Sequence, residues 1–363
     1  MKLAHKNILI VSPEPWSHIF VSKHHYATHL AKRGNQVYFL NPPTGAFKLQ
    51  QTDYQGVETI DYRGFLPGLK YFPSFIIRWL TRRVFDQLEQ LAGVKFDFVW
   101  SFDNSVFYQF DALPKRVHKI SHIVDLAQNF ELAKAAILAD VCFGVTASIV
   151  DALKKYNENS FRINHGLSFQ STNIQISSKV PGNNQYKSFY LGNIAMRHMD
   201  WKVFYEAAKS NPNVDFIFIG PGEKNETNNY FNFELQIRTL SNVYFISKIP
   251  SEHVQSYLEE ADMLLLAYQE YFHKDASNSH KILEYLYSGK PIIASYTADY
   301  DGSNLLYMSK TNEDWPKIFD QVLENLNEYS SKELADKRKK YALDHTYDKQ
   351  IDRIEKILAS LPS

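Results

Sequence analysis

Among the 363 residues, Lys281 stands where simple helix electrostatics would not put it. The stretch Ser279-His280-Lys281-Ile282-Leu283-Glu284-Tyr285-Leu286-Tyr287-Ser288-Gly289-Lys290-Pro291-Ile292-Ile293-Ala294-Ser295 reads as a short helix stopped by Gly289, a turn through Pro291 and a buried strand. Ser277, Asn278 or Ser279 is available as the N-cap. A cation in the first turn opposes the helix dipole at a cost of about 0.3–1 kcal/mol. An anion bound at that N-terminus reverses the sign, because Lys281 and the free backbone N–H groups then point at it together. Glu284 shares the face of Lys281, and Ile282, Leu283 and Leu286 supply the apolar side. A surface Lys–Glu pair on an ordinary helix has the same spacing, and the residues alone leave both readings open.

The elements around this stretch alternate. In the first half, Asn7–Val11 reads as a strand, His24–Ala31 as a helix closed by Gly34, and Gln36–Leu40 as a strand closed by Asn41-Pro42-Pro43. Phe96–Trp100, Lys119–Val124 and Val141–Val145 are further strands, implying a mostly parallel sheet covered on both faces. Residues 168–187, rich in Ser, Asn and Gln, suit a linker. A second alternation follows: Ser188–Leu191, helix Trp201–Ser210, Val214–Ile219, Asn242–Ile246, helix Ser251–Glu260, Met263–Ala267 and Pro291–Ser295. The tail helix to Leu361 carries Ile351, Ile354, Ile357, Leu358 and Leu361 on one side and should pack on a domain. Two doubly wound units in series bind ligands beyond the carboxyl ends of their strands.

Composition narrows the class. With 44% hydrophobic and 22% charged residues the chain is globular, and no apolar run reaches membrane-spanning length. The N-terminus passes directly into a strand, which predicts neither a secretory signal nor a membrane anchor. Cys142 is the one cysteine, so an intrachain disulfide is impossible and a structural zinc site is not expected, in keeping with a reducing cytosol. The net charge of zero is unevenly spread: residues 1–180 carry 20 Lys+Arg against 14 Asp+Glu, leaving 20 against 26 for residues 181–363. The basic half suits an anionic partner such as a membrane surface or phosphorylated lipid, and nucleic acid is not expected.

The second half resembles the donor-binding domain of GT-B glycosyltransferases, especially family 4. The matching pieces occur in that family's order: Tyr190-Leu191-Gly192-Asn193, Phe216-Ile217-Phe218-Ile219-Gly220-Pro221-Gly222, Asn242–Ile246, Leu258–Leu266, and Lys281–Pro291. The resemblance implies an α/β chain of two Rossmann-like domains facing a central cleft. An acceptor-binding domain would span 1–170, a linker 171–187, a donor-binding domain 188–345, and a C-terminal helix, 346–363, would cross back to the first domain.

It further implies transfer of a sugar from a nucleotide donor, a UDP-sugar first, to a cell-surface polysaccharide or a lipid-linked oligosaccharide, without metal or cofactor. Lys281, the helix N-terminus with His280, and Arg197 would stabilise the departing diphosphate. Glu284 matches the position that holds the nucleotide ribose. Ser247 and Lys248 follow the strand whose end lies beside the base, and Tyr268 could contact base or diphosphate, or simply pack. Gly192, Asn193, Gly220 and Gly222 belong to the matching turns. Family-4 enzymes often carry a second Glu eight residues before Glu284, where this chain has Ala276. That departure counts against a retaining reaction with the usual donor-sugar contacts; the segment is more similar to bacterial polysaccharide transferases, including those of the xanthan glucuronosyltransferase type, and inversion and retention both stay open.

In inverting relatives an Asp near Asp125 serves as general base, and Asp125 follows the strand Lys119–Val124. Asp103, after Phe96–Trp100, competes for the role, and either could cap a helix. The glycine-rich loop common after the first strand is replaced by Ser22-Lys23-His24-His25-Tyr26, where His24 or His25 could contact substrate, cap or pack. A non-catalytic nucleotide-binding scaffold and a sugar-nucleotide epimerase are the alternative readings. Asp299-Tyr300-Asp301 spells a metal-binding motif of a different fold and is read as a loop; Gly220-Pro221-Gly222 has the wrong spacing for a dinucleotide fingerprint. Residues 68–83 mix aromatics with bases and suit a membrane interface, with Phe72, Ile76, Trp79 and Leu80 inserted and Arg78, Arg82 and Arg83 on head groups. The expected location is the cytoplasm, peripheral to the inner face of the plasma membrane.

Overall fold

The computed structural model describes residues 2–65, 68–103, 109–124, 132–168, 180–222, 231–273 and 278–361. The chain divides into two compact units, Met1–Gly166 with Thr346–Ser363, and Leu167–His345.

The first unit holds an eight-stranded sheet: β1 (Asn7–Val11), β2 (Gln36–Leu40), β3 (Lys48–Gln51), β4 (Val57–Asp61), β5 (Phe98–Ser101), β6 (His118–Ile123), β7 (Val141–Gly144) and β8 (Ser160–Arg162). Their spatial order is β3-β4-β2-β1-β5-β6-β7-β8. All neighbours pair in parallel except β3, which runs antiparallel to β4 at the edge. Neither β3 nor β4 was expected from sequence. The pattern Lys-Leu-Gln-Gln of β3 lacks the apolar run of a strand covered on both faces, because an edge strand is only partly buried. Inner strands β1 and β5 are apolar and covered on both sides by two separate core clusters.

The C-terminal helix Tyr347–Ser360 belongs to this unit. Thr346 caps it by accepting from Lys349 N, and Ile351, Ile354 and Leu358 join the cluster of Leu3, Ile8, Ile10 and Tyr26. Arg33 ties it to the first helix, Ser22–Lys32, through Asp348 at 3.6 Å and Asp352 at 2.9 Å.

The second unit holds six parallel strands: β9 (Tyr186–Leu191), β10 (Val214–Ile219), β11 (Val243–Ile246), β12 (Met263–Leu266), β13 (Ile292–Ser295) and β14 (Tyr307–Ser309). They are ordered β11-β10-β9-β12-β13-β14. Strand β9 begins at Tyr186, inside the stretch expected to be linker, and Leu167 already belongs to this unit. Tyr186 and Lys187 were missed because a polar run precedes them, whereas Lys187 N–H is held by Asp262 at 2.8 Å across the sheet. The chain starts at β9, moves outward through β10 and β11, and returns on the other side of β9 as β12. That reversal opens a crevice between the carboxyl ends of β9 and β12, where ligands of such sheets bind.

Among the described residues no helix is long and apolar enough to cross a membrane. The helix Ser74–Ala92, with the turn before it, exposes Tyr71 (81%), Phe75 (70%) and Trp79 (58%), together with Phe72. This corrects the expected face, since Ile76 and Leu80 are half-buried. Within the helix, Phe75 and Trp79 are four residues apart and share a side, while Tyr71 and Phe72 belong to the turn and the extended link before it. Arg78 pairs with Asp111 at 3.2 Å, Arg82 with Asp86 at 2.9 Å, and the Arg83 guanidinium lies 5.6 Å from the Trp79 ring centre.

Candidate functional site

The helix Lys281–Ser288 follows the expected stretch and ends at Gly289, φ +80°. Its N-cap is His280, with no side-chain capping bond, rather than Ser277, Asn278 or Ser279. Ser277 lies outside the described residues. The first turn is tight, with Ile282 N–H donating to Ser279 O at 3.0 Å and Leu283 N–H to His280 O at 3.2 Å. These bonds already occupy the N–H groups of Ile282 and Leu283, the donors that a capping side chain would take.

Lys281 does not lie on the surface: it is 7% exposed and points into the crevice between β9 and β12. Its Nζ donates to Tyr190 Oη at 3.0 Å, on β9, and to Tyr268 Oη at 3.3 Å, two residues beyond β12. The ammonium also sits over both rings, 4.7 Å from the centre of Tyr190 and 5.9 Å from that of Tyr268. Among the described residues it forms no ion pair with a carboxylate. Burial pulls the ammonium down from its ordinary value, and the oxygens of Tyr190, Tyr268 and Tyr285 more than offset that. Tyr190 is itself pushed up to about 12 by burial, with Lys281 pulling it back. A cation withdrawn from water without an anion is costly unless a ligand supplies one.

Two glycine turns form the rim of this crevice. Gly192, at the end of β9, has φ +155°, and a methyl group there would run into Lys281 Nζ. Gly220, at the end of β10, has φ +150°, and a methyl there would run into the Gly192 carbonyl oxygen. The turns are stitched by Gly192 N–H to Ile219 O and Ile194 N–H to Pro221 O, both 2.8 Å. Gly222 packs on Ile194, whose Cβ lies 2.8 Å from where its own would be. Glycine is required at Gly192 and Gly220 because both the backbone angle and the space exclude a side chain. Asn193 turns its Oδ1 back to Ala195 N–H at 2.9 Å.

Glu284 is half-buried and lines a depression with Leu167, Ser168, Ser251, Val254, Gln255 and Tyr287. Burial pushes its carboxyl up to about 7, against the opposing pull of Lys281. At neutral pH it is therefore poised between acceptor and donor, a state suited to hydroxyl ligands. Arg197, Ser247 and Lys248 are exposed, the first on the turn after Gly192 and the others just past β11. The structure thus brings Lys281, Tyr268, Gly192 and Gly220 together; Glu284 stands on the same helix but on a different recess.

The sequence reading passed over Tyr285. Its hydroxyl accepts from Leu191 N–H at 2.8 Å and donates to Leu191 O at 3.4 Å, fixing the helix to the end of β9. Its spacing of four from Lys281 was the available signal.

The first unit has its own reversal, between β1 and β5. There Lys23, 4% exposed in the first turn of helix Ser22–Lys32, pairs with Glu14, and buried Asp103 adds a second negative charge nearby. Lys23 carries the same anomaly as Lys281, a cation in a first turn after a strand, and it was overlooked. Its charge is already answered from within the protein.

Asp125 lies outside the described residues, as does Ala276. His24 takes the capping role: its Nδ1 accepts from Val21 N–H at 3.3 Å, so its Nε2–H donates to Pro15 O at 3.1 Å. Burial lowers it to about 4. His25 stacks on Tyr347 with ring centres 4.9 Å apart, and burial lowers it to about 3, which makes it a weak base near neutral pH. The Asp299–Asp301 stretch is a turn, with Asp301 accepting from Tyr296 Oη at 3.0 Å and Asp299 from Asn278 Nδ2 at 3.4 Å.

No protein-family model matches the chain. A curated relative from Bacillus subtilis (strain 168), described as a putative teichuronic acid biosynthesis glycosyltransferase, TuaH, is 28% identical over 133 residues. The match covers 37% of this chain and only 30% of the relative's length. Among solved structures, a sucrose-phosphate synthase from Thermosynechococcus elongatus superposes with a TM-score of 0.68 at 11% identity, covering 98% of this chain and 99% of the other. Anabaena HepE, solved in complex with UDP-glucose, gives 0.65 at 13% identity over 98% and 100%. These likenesses show the fold, which is GT-B: two Rossmann-like units built in series.

Proposed function

We propose that the chain is a glycosyltransferase that takes its sugar from a nucleotide donor bound in the second unit. One observation carries the reading: the Lys281 ammonium is buried at the β9/β12 crevice, hydrogen-bonded to two phenols and in no ion pair with a carboxylate of the described residues, with Glu284 acting on it from the neighbouring recess. The corresponding lysine of the first unit pairs with Glu14, so of these two lysines Lys281 is the one without an ion pair among the described residues. A diphosphate is the anion that fits, because the glycine turns let backbone approach it closely. As the acceptor hydroxyl oxygen attacks the anomeric carbon, the bond from that carbon to the diphosphate oxygen breaks. Lys281 then stabilises the charge left on the departing nucleotide.

Glu284 serves the ribose hydroxyls, and a UDP-sugar is the first candidate donor, as in the HepE complex. No metal is required in this scheme. If the configuration inverts, Asp125 takes the acceptor proton. The acceptor is a cell-surface polysaccharide or a lipid-linked intermediate, a reading supported by the description of the Bacillus relative. The exposed Tyr71, Phe75 and Trp79 with Arg83 would hold the protein at an anionic bilayer where such an acceptor resides.

The test is a thermal-shift screen against UDP-, GDP-, ADP- and dTDP-sugars, since a ligand bound only by the folded state raises stability by RT ln(1 + [L]/Kd). One base class should shift the transition, and the Lys281→Ala variant should not respond. A folded wild type indifferent to all four would refute the donor site. Product analysis separates the alternatives: free nucleotide appears with a transferase, an isomeric sugar nucleotide with an epimerase, neither with a scaffold.

A further inference from the structure

Among the described residues, the oxygens within hydrogen-bond distance of Lys281 Nζ are the phenolic hydroxyls of Tyr190 and Tyr268. Phenols replace the carboxylate that ordinarily accompanies a buried lysine, and their arrangement is fixed from several sides. Tyr268 is clamped through its backbone: its N–H donates to Ser295 Oγ at 2.9 Å, and its carbonyl accepts from Ser295 Oγ at 3.0 Å and from Asn312 Nδ2 at 2.7 Å. Tyr190 is held by the β9 ladder and by Phe204 and Phe218 against its ring, and its hydroxyl passes a hydrogen bond on to Asn193 O at 3.3 Å. The chain of donors therefore runs from Lys281 Nζ through Tyr190 Oη to the backbone of the glycine turn.

We propose that Tyr190 and Tyr268 are positioning residues that orient the Lys281 ammonium toward the donor diphosphate and keep its charge available. The inference rests on the donor-site reading and gives both tyrosines a role exerted through the Lys281 amine. A carboxylate in their place would hold the amine as firmly but cancel its charge, as Glu14 does for Lys23 in the first unit. A phenol accepts a hydrogen bond and presents a negative ring face while leaving the net positive charge to the ligand. The other groups facing the amine are consistent with this role. Tyr285, on the same helix, is occupied with Leu191, and Glu284, also on that helix, lines the neighbouring recess.

The experiment uses Tyr190→Phe, Tyr268→Phe and the double variant, which keep the rings and remove only the hydroxyls. UDP-glucose affinity is measured by calorimetry from pH 7 to 10, as a ratio to wild type at each pH so that titration of the ligand cancels. Each single variant should bind about tenfold more weakly, the scale of one lost hydrogen bond to a charged group. The deficit of the double variant should widen toward pH 10, because an ammonium without its two acceptors gives up its proton sooner. A packing role would lower Tm and leave the ratio independent of pH, which would overturn the proposal.

A second readout needs no nucleotide. Acetylation of Lys281 at pH 8, followed by mass spectrometry, should be faster in the double variant while Lys23 labels at the wild-type rate. Equal labelling of Lys281 in wild type and double variant would refute the positioning role. Failure of wild type to bind any nucleotide sugar would instead refute the donor reading.

Discussion

Replacing Lys281 with methionine separates a ligand-binding charge from a structural strut, because the two roles have opposite consequences for stability. Methionine preserves most of the length and packs among the apolar atoms that surround the stem. Exchanging buried charge for an apolar side chain of similar volume is often favourable by about 1–4 kcal/mol. Against that, Tyr190 and Tyr268 lose a donor, at about 1 kcal/mol each, although Tyr190 keeps its bond to Asn193 O. The balance lies within about 2 kcal/mol of zero, or about 6 °C in Tm for a unit of this size. Nucleotide-sugar affinity should fall far more, by about 1.5–3 kcal/mol for a lost hydrogen bond to a charged group, equivalent to about 10–150-fold. Differential scanning calorimetry and titration calorimetry on the same preparation give both numbers. A Tm lowered by about 10 °C or more, with unchanged affinity for nucleotide sugars, would show that Lys281 is part of the scaffold and refute the argument.

Glu284 should impose a pH dependence on both stability and binding. Its folded-state value, about 7, lies above its ordinary value of 4.5, so the folded protein holds the extra proton between those limits. Stability from this group is fully present below about pH 4.5 and falls as pH rises through about 7, the opposite of a paired carboxylate. Ribose hydroxyls favour the ionised form, so affinity for a UDP-sugar should tighten from pH 5.5 to 8 in wild type and remain flat in Glu284→Gln. Arg338 is fully buried and donates to Gly289 O and Tyr329 O at 3.0 Å each and to Tyr307 Oη at 2.9 Å. Arg338→Met strands these acceptors and should cost about 3 kcal/mol in denaturant titrations, while folded protein binds nucleotide sugar within about threefold of wild type. Phe75→Ser with Trp79→Ser should abolish co-sedimentation with vesicles containing anionic lipid and leave Tm unchanged, since both side chains are exposed. Retention of the variant on those vesicles would refute the membrane face.

Why some of this was legible in the sequence and some was not follows from the range of each signal. Strands β1, β2, β10, β12 and β13 are buried on both faces and announce themselves as apolar runs, and the helix Lys281–Ser288 is closed by Gly289. Strand β3 is half solvated and carries Gln50 and Gln51, so no periodicity marked it. At the site, Lys281 was visible because its charge conflicts with the dipole of its own helix, an entirely local contradiction. The partners that resolve the conflict are Tyr190, 91 positions away, and Tyr268, 13 positions away. One tyrosine among 23 gives no sign of which amine it meets. The sheet order supplies that sign, since only the return of the chain from β11 to β12 puts the ends of β9 and β12 side by side.

The same comparison explains why the two crevices differ though their local sequences look alike. Lys23 and Lys281 both stand in the first turn of a helix at the reversal point of a parallel sheet. A local reading therefore assigns them equal promise as anion sites. What divides them is the residue each meets across the crevice, Glu14 for one and two phenols for the other. A buried cation that has met its anion is finished as a recognition element, because a ligand would have to displace an intramolecular carboxylate to gain the same interaction. A buried cation hydrogen-bonded to phenols has no ion-pair partner to displace, so an incoming diphosphate meets no carboxylate bonded to the amine. The asymmetry between the units therefore resides in the ion-pair partner rather than in the lysine, and it is the ground for proposing anion binding in the second unit.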